Sequence, residues 1–179
     1  SISNPERASL RQASPKTYNL TTMKVSEIGE FGLIERLIGM INDSRGVSST
    51  STKGFRVVVG AGDDAMVSEM NGVKELASTD TLVENIHFSH STTSWQDLGW
   101  KALAVNLSDI AAMGGIPTYA LVTLGLVEDT EVEDITQLYK GMLDIAHEFD
   151  VSLVGGDVVR SPVLFITVSV GGTIVGEPL

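Results

Sequence analysis

The chain has 179 residues, 42% of them hydrophobic, which is enough for one globular domain with an apolar core. Its 23 acidic and 12 basic residues give a formal net charge of −11, which argues against non-specific binding to nucleic acid and favours metal ions as bridges to any anionic substrate. The absence of cysteine excludes disulfides, thiolate metal sites and cysteine nucleophiles.

The first 22 residues are polar and contain two prolines, so we predict a disordered leader over residues 1–22 and a folded domain over residues 23–179. No apolar run approaches the roughly 20 residues that span a bilayer. An apolar signal core is also missing from the N-terminus of the sequence. We therefore expect a cytoplasmic protein without membrane contact.

The next segment predicts a helix followed by two strands. Apolar residues between Phe31 and Ile41 recur at helical spacing. A strand is predicted at residues 55–59, and a second at residues 73–79. The Asn71-Gly72 dipeptide lies between two apolar runs, which is typical of a β-hairpin turn.

The remaining elements alternate between helices and strands. Ser94 is expected to cap a helix over residues 95–113. A second helix is predicted over residues 131–149, and strands over residues 119–127, 151–154 and 164–175. The order α-β-β-α-β-α-β-β predicts an α/β (α+β) fold, in which a mixed sheet carries helices on one face. We expect a second subunit to cover the other face.

Acidic residues stand at four points where apolar runs meet glycine or small polar residues. Asp63 and Asp64 follow a glycine, and Asp80 is flanked by threonines. Asp109 lies in an apolar helix, where an unpaired carboxylate is costly, and Asp157 follows Gly-Gly. Oxygen donors of this kind suit Mg²⁺, so the pattern predicts a magnesium–phosphate site. Taken singly, each acid is equally typical of a solvated turn or a helix cap.

Other candidate residues remain open. His87 suits either substrate binding or a hydrogen-bonded core position, and Arg160 suits either a phosphate or a surface acid. The chain has no Walker A motif, no dinucleotide fingerprint and no protein-kinase motif set. If it handles ATP, it does so through metal ions held by carboxylates.

Five stretches together resemble thiamine-monophosphate kinases, and the match runs from about Met23 to the end of the sequence. The stretches are GEFGLIERL, AGDDA, STDTLVENIHF, DLGWKALAVNLSDIAAMGGIP and LVGGDVVRS. STDTLVE-x-x-HF together with VNLSDIAAMG distinguishes this kinase from other members of its superfamily. Those members are aminoimidazole ribonucleotide synthetase, selenophosphate synthetase and the hydrogenase-maturation carbamoyl dehydratase.

The resemblance implies transfer of the γ-phosphoryl group of ATP, assisted by Mg²⁺, directly onto thiamine monophosphate to give thiamine diphosphate. It also implies a homodimer in which the two sheets form a β-barrel. No catalytic side chain is implied apart from the metal ligands. The implied metal ligands are Asp64, Ser78, Thr79, Asp80, Asp109 and Asp157; the implied ATP contacts are Gly156, Asp157 and Tyr139; and the implied substrate contact is His87.

Two departures from the family pattern matter. Val158 and Val159 stand where the family commonly has two threonines. The family also has a C-terminal domain, whereas this sequence stops soon after a predicted strand, so we expect an N-terminal ATP-binding and dimerisation domain with little turnover alone. The alternatives are another member of the superfamily with a different acceptor, or a non-catalytic interaction module whose acids form a solvated face.

Overall fold

The architecture comes from a computed structural model that describes residues 24–45, 54–174, 176 and 178. The chain divides into two compact units, residues 1–46 and residues 47–179, and each is described by itself. The predicted leader, residues 1–22, lies outside the described residues. None of the helices in the described ranges is long and apolar enough to cross a membrane.

The described residues of the first unit, 24–45, include the helix α1 (Val25–Arg45), which confirms the predicted helix in this segment. Gly29 interrupts it with φ 69° and ψ −178°, outside the helical region. The backbone N–H of Lys24 donates to the Glu27 carboxylate at 3.0 Å, which satisfies one amide at the start of the helix.

The second unit is a six-stranded mixed sheet with two helices, and the predicted α+β class is confirmed. The strands lie in the order β1-β2-β3-β6-β4-β5, and only β4 and β5 are parallel. The elements are β1 (Phe55–Val59), β2 (Met66–Met70), β3 (Val73–Val83), α2 (Trp95–Ala112), β4 (Ile116–Leu126), α3 (Val132–Glu148), β5 (Ser152–Arg160) and β6 (Phe165–Ile174).

The hairpin predicted at Asn71-Gly72 joins β2 to β3. Both residues have positive φ, 53° and 85°, as a type I′ turn requires, and Met70 pairs with Val73 across it. The strand β2 itself was absent from the predicted order. Its sequence MVSEM is short and has two polar residues, yet its pairing with β3 on one side and β1 on the other stabilises it as a strand.

Two strands extend beyond their predicted ends. The prediction that β3 ends at Thr79 is wrong, because β6 continues to pair with it as far as Val83. The prediction that β5 ends at Val154 is also wrong, because its pairing with β4 continues to Arg160. Glycine permits this close approach: a Cβ on Gly156 would lie 1.7 Å from the carbonyl oxygen of Val122. Asp80 and Asp157 therefore lie within strands, and the expectation that they follow strand ends is wrong.

The helices α2 and α3 cover one face of the sheet, as predicted. Burial alternates along β6, where Ile166, Val168 and Val170 are buried between half-buried residues. The buried side chains of α2 and α3 complete this core: Leu98, Leu103, Ile110, Leu138, Met142 and Ile145. The opposite face of the sheet, here called the open face, includes the exposed side chains of Tyr119, Leu121 and Val159. Cover of that face by a second subunit stays a prediction.

Candidate functional site

A hydrogen bond joins β3 to α2 at the candidate site. The Ser78 hydroxyl donates to Oδ2 of Asp109 at 2.7 Å. Asp109 is half-buried near the end of α2, among apolar residues. This bond satisfies one oxygen of a carboxylate that the apolar helix would otherwise leave unpaired. The second oxygen keeps its capacity as an acceptor.

Asp80 lies two residues further along β3, and therefore on the same face of the sheet as Ser78. Burial raises the pKa of its carboxyl above the usual 3.8, the negative charge of Asp109 raises it further, and His87 lowers it. The two carboxylates thus repel each other. A bound cation would relieve that repulsion.

Replacing Asp80 with asparagine is expected to stabilise the fold at neutral pH. Because the folded-state pKa of Asp80 is raised, ionising this group opposes folding at pH values above that pKa and has no effect well below 3.8. Asp80→Asn should therefore raise the Tm at pH 7, and the gain should shrink as the pH falls towards 4. Thermal unfolding across this pH range measures it, with Glu148→Gln, an exposed acid at the end of α3, as the control. Equal Tm shifts at both pH values would contradict the prediction.

His87 lies on a tight loop that follows β3. Its backbone N–H donates to the carbonyl of Val83 at 2.9 Å, and its Nδ1 accepts the backbone N–H of Val83 at 3.0 Å. A nitrogen that accepts an N–H is unprotonated, so the ring proton lies on Nε2. The exposed Nε2–H is then available as a donor to a ligand.

Asp64 lies in the loop between β1 and β2, where its backbone N–H donates to the side chain of Asp63 at 3.0 Å. The β2–β3 register pairs Met66 with Ala77. Asp64 precedes this first pair by two residues and therefore lies outside the paired part of β2. Its side chain is exposed, and its membership of one metal site with Asp80 stays a prediction.

Thr79 and Asp157 lie on the open face, opposite Asp80. The Thr79 hydroxyl is 2.8 Å from that of Ser169 on β6. Asp157 pairs with Thr123, which pairs with Thr167, which in turn pairs with Thr81. These four residues form one row across the sheet, so their side chains share a face. The sheet therefore separates the Asp157 carboxylate from that of Asp80. The prediction that one metal cluster contains all six ligands stays a prediction.

Tyr139 lines a second region, on the helix-covered face. A cavity of about 610 Å³ lies between α3 and the β4–β5 pair. Its walls are mostly apolar and include Leu124, Ile135, Tyr139, Lys140 and Val158. Burial raises the pKa of Tyr139, which keeps its hydroxyl protonated as a donor. Gly156 pairs with Val122, which shares a row with Asp80, so about three strand spacings, roughly 14 Å, separate Gly156 from Asp80.

The structure brings together Ser78, Asp80, Asp109 and His87. Within the described ranges, no three acidic or histidine side chains are grouped so that they could hold a metal ion. The donor set still fits Mg²⁺, because carboxylates and hydroxyls are hard oxygen ligands and this ion keeps several waters. The residues best placed to hold such an ion are Asp80 and Asp109.

Sequence reasoning missed Lys101, which lies on α2 and donates through Nζ to the carbonyl of His87 at 2.9 Å. Its signal was weak: a single lysine between Trp100 and a run of small and apolar residues. For Arg160, left open between a phosphate and a surface acid, the structure has an exposed ion pair with Glu128 at 2.5 Å.

Residues 62–177 match the family model of the AIR synthase related protein, N-terminal domain. The thiamine-monophosphate kinase of Bacillus subtilis (strain 168) is 45% identical over 120 residues, which are 66% of this chain and 37% of that protein. The thiamine-monophosphate kinase of Aquifex aeolicus (strain VF5) is 35% identical over 150 residues, which are 84% of this chain and 44% of that protein. The chain therefore spans less than half the length of these two relatives.

Solved structures agree with the sequence comparison. AaThiL complexed with AMPPCP and TMP aligns with a TM-score of 0.72 at 33% identity, over 86% of this chain and 44% of that one. The HypE–HypF complex aligns with a TM-score of 0.53 at 24% identity, over 65% of this chain and 37% of that one, which is a likeness of fold alone.

Proposed function

The chain belongs to the family of the AIR synthase related protein, N-terminal domain, and we propose that it is the ATP-binding and dimerisation domain of a cytoplasmic thiamine-monophosphate kinase. The activity is transfer of the γ-phosphoryl group of ATP to thiamine monophosphate, giving thiamine diphosphate. This activity is proposed for the complete gene product. The observation that carries the proposal is the Ser78–Asp109 bond with Asp80 beside it, in a chain similar to a structure complexed with AMPPCP and TMP.

The residues on β3 and α2 provide the anionic side of the proposed site. Asp80 and Asp109 would hold Mg²⁺, Asp64 in the loop before β2 is a further proposed ligand, and the Ser78 hydroxyl fixes the orientation of Asp109. When bound, Mg²⁺ neutralises phosphate charge and aligns the two phosphate-bearing substrates. Little covalent work is left for side chains in phosphoryl transfer, which agrees with a site built from carboxylates and hydroxyls.

The nucleotide and the acceptor are assigned to different parts of the domain. The apolar cavity beside α3 suits a nucleotide base, with the Tyr139 hydroxyl as a donor on its wall. The backbone N–H of Gly156 is a proposed ATP contact, and Asp157, on the open face, is a proposed ATP and metal contact. The Nε2–H of His87 is the proposed donor to the phosphate of thiamine monophosphate.

An assay of acceptors tests this function against the alternatives. The complete gene product is given ATP and Mg²⁺ with thiamine monophosphate, with the substrate of aminoimidazole ribonucleotide synthetase, or with selenide. We expect phosphoryl transfer to thiamine monophosphate only. Turnover with another acceptor would favour a different family member. Mg²⁺-ATP that neither binds nor turns over would favour the non-catalytic interaction module.

The open face of the sheet is proposed as the homodimer interface. It carries Met66, Met70, Tyr119, Leu121 and Val159 at 38–49% exposure, and burial of such side chains favours association. Leu121→Glu should shift the complete gene product from dimer towards monomer, because it places a charge in the apolar contact. Sedimentation equilibrium measures the shift. Val163→Glu, in the exposed loop between β5 and β6, should leave the oligomeric state unchanged, and a dimer unaffected by Leu121→Glu would contradict this interface.

A further inference from the structure

Helix α2 and strand β3 are joined at two points on either side of Asp80. At one point Ser78 donates to Asp109. At the other, Lys101 donates to the carbonyl of His87, just beyond the end of β3. The eight residues from Lys101 to Asp109 rise about 12 Å along the helix, so α2 runs antiparallel to β3 over this distance. Asp80 lies between the two contacts and interacts with both Asp109 and His87.

The loop that holds His87 is closed by its own backbone hydrogen bonds, and the N–H of Glu84 at its start donates to the carbonyl of Leu164 at 3.0 Å. The N–H groups of Ile86 and His87 both donate to the carbonyl of Val83, and Asn85 donates to the carbonyl of Phe88. Asn85 has φ 61°, in the left-handed region. On the helix side, the one hydrogen bond from α2 to this loop among the described residues is that of Lys101.

We propose that Lys101 is a positioning residue, whose ammonium holds the 84–88 loop so that His87 presents Nε2–H to the phosphate of the acceptor. Held in place, the loop keeps Nδ1 in its bond with the Val83 N–H. That bond fixes the tautomer with the proton on Nε2. A donor on this nitrogen can bind an anionic oxygen, whereas the other tautomer would present a lone pair and repel it. The inference rests on the proposed function, because the acceptor is the phosphate of thiamine monophosphate.

The ammonium is suited to this position for a second reason. An ammonium has three donors, and one of them is used by the His87 carbonyl. The ammonium also carries a positive charge in a chain with a formal net charge of −11. It therefore offsets part of the repulsion that an incoming phosphate meets there.

Three variants of the complete gene product test the proposal. Lys101→Met keeps the apolar part of the side chain and removes the donor, and Lys101→Arg restores a donor. Lys74→Met is the matched control, because Lys74 also donates to a backbone carbonyl, that of Gly176 at 2.7 Å, at the other end of β3. We expect Lys101→Met to raise the KM for thiamine monophosphate about tenfold, as the loss of a hydrogen bond to a charged group does. In Lys101→Met the KM for ATP should stay unchanged and kcat should change little. Lys101→Arg should return the KM for thiamine monophosphate most of the way to the wild-type value. Lys74→Met should have the same kinetic constants as wild type.

The tautomer of His87 provides a readout that needs no turnover. In protein with ¹⁵N-labelled histidine, wild type should show the proton on Nε2 of His87, and Lys101→Met should show a mixture of both tautomers. The His87→Gln variant assigns the signal. An unchanged tautomer, or a changed tautomer with an unchanged KM for thiamine monophosphate, overturns the proposal. If wild type does not phosphorylate thiamine monophosphate, the proposed function fails, and the tautomer alone then decides whether Lys101 positions His87.

Discussion

The Asp80→Ala variant of the complete gene product is expected to form thiamine diphosphate on the order of a thousandfold more slowly than wild type, the size of effect seen when one electrostatic contact to a transition state is removed. Asp80 is the carboxylate whose pKa responds to both Asp109 and His87. Its removal takes one ligand from the proposed Mg²⁺ site and leaves phosphate charge unneutralised during transfer. The rate of thiamine diphosphate formation measures the effect.

Two further variants separate this role from a general loss of structure. Asp80→Asn should lose as much activity as Asp80→Ala while its Tm at pH 7 rises, because the amide removes the cost of burying a charge and the repulsion with Asp109 without opening space. Glu148→Ala, which removes an exposed acid at the end of α3, should retain full activity. Undiminished turnover in Asp80→Ala would contradict the proposal that Asp80 is a ligand of Mg²⁺.

The Gly99→Ala and Gly141→Ala variants are each expected to destabilise the second unit by about 3 kcal/mol or more, at the upper end of overpacking effects. The two glycines allow α2 and α3 to pack with their backbones in contact. A Cβ on Gly99 would lie 1.8 Å from the carbonyl oxygen of Leu138, and one on Gly141 would lie 1.8 Å from that of Gln96. Backbone cannot rotate away as a side chain can, so the helices must separate.

Thermal or urea unfolding measures this effect, and a domain of this size loses about 2–4 °C in Tm per kcal/mol. Gly39→Ala is the matched control, because Gly39 lies in helix α1 and a Cβ there meets nothing within 4 Å. That variant should be neutral or stabilising by up to about 1 kcal/mol. A Tm unchanged by Gly99→Ala would contradict the close packing of α2 on α3.

Local signals in the sequence predicted most of the fold. The Asn71-Gly72 turn and the Ser94 cap were both found where predicted, and the Ser94 hydroxyl accepts the backbone N–H of Asp97 at 3.1 Å. The ends of β3 and β5 were not predictable in the same way. Asp80 and Gly155-Gly156 are residues at which strands commonly stop, but neighbouring strands supply partners past them. Tertiary pairing overrides local preference there.

The candidate site was predictable as a set of residues but not as an arrangement. The need of Asp109 for a partner followed from its apolar surroundings, but a sequence could not identify that partner as the hydroxyl of Ser78, 31 positions earlier. The sheet separates Asp157 from Asp80 because of the strand register. Successive side chains of a strand point to opposite faces, so a register shift of one residue would move Asp157 to the other face. The contact of Lys101 could not be predicted for another reason. Lys101 donates to a backbone carbonyl, and every residue has a backbone carbonyl, so the sequence does not identify this partner.

The central claim is that carboxylates of β3 and α2 hold the ions used in phosphoryl transfer. The most direct measurement is a crystal structure of the complete gene product with AMPPCP, thiamine monophosphate and Mn²⁺ in place of Mg²⁺, with the ions located by anomalous scattering. The expected result is an ion about 2.1 Å from carboxylate oxygens of Asp80 and Asp109. Ions bound to the nucleotide while both of these carboxylates remain unligated would contradict the claim.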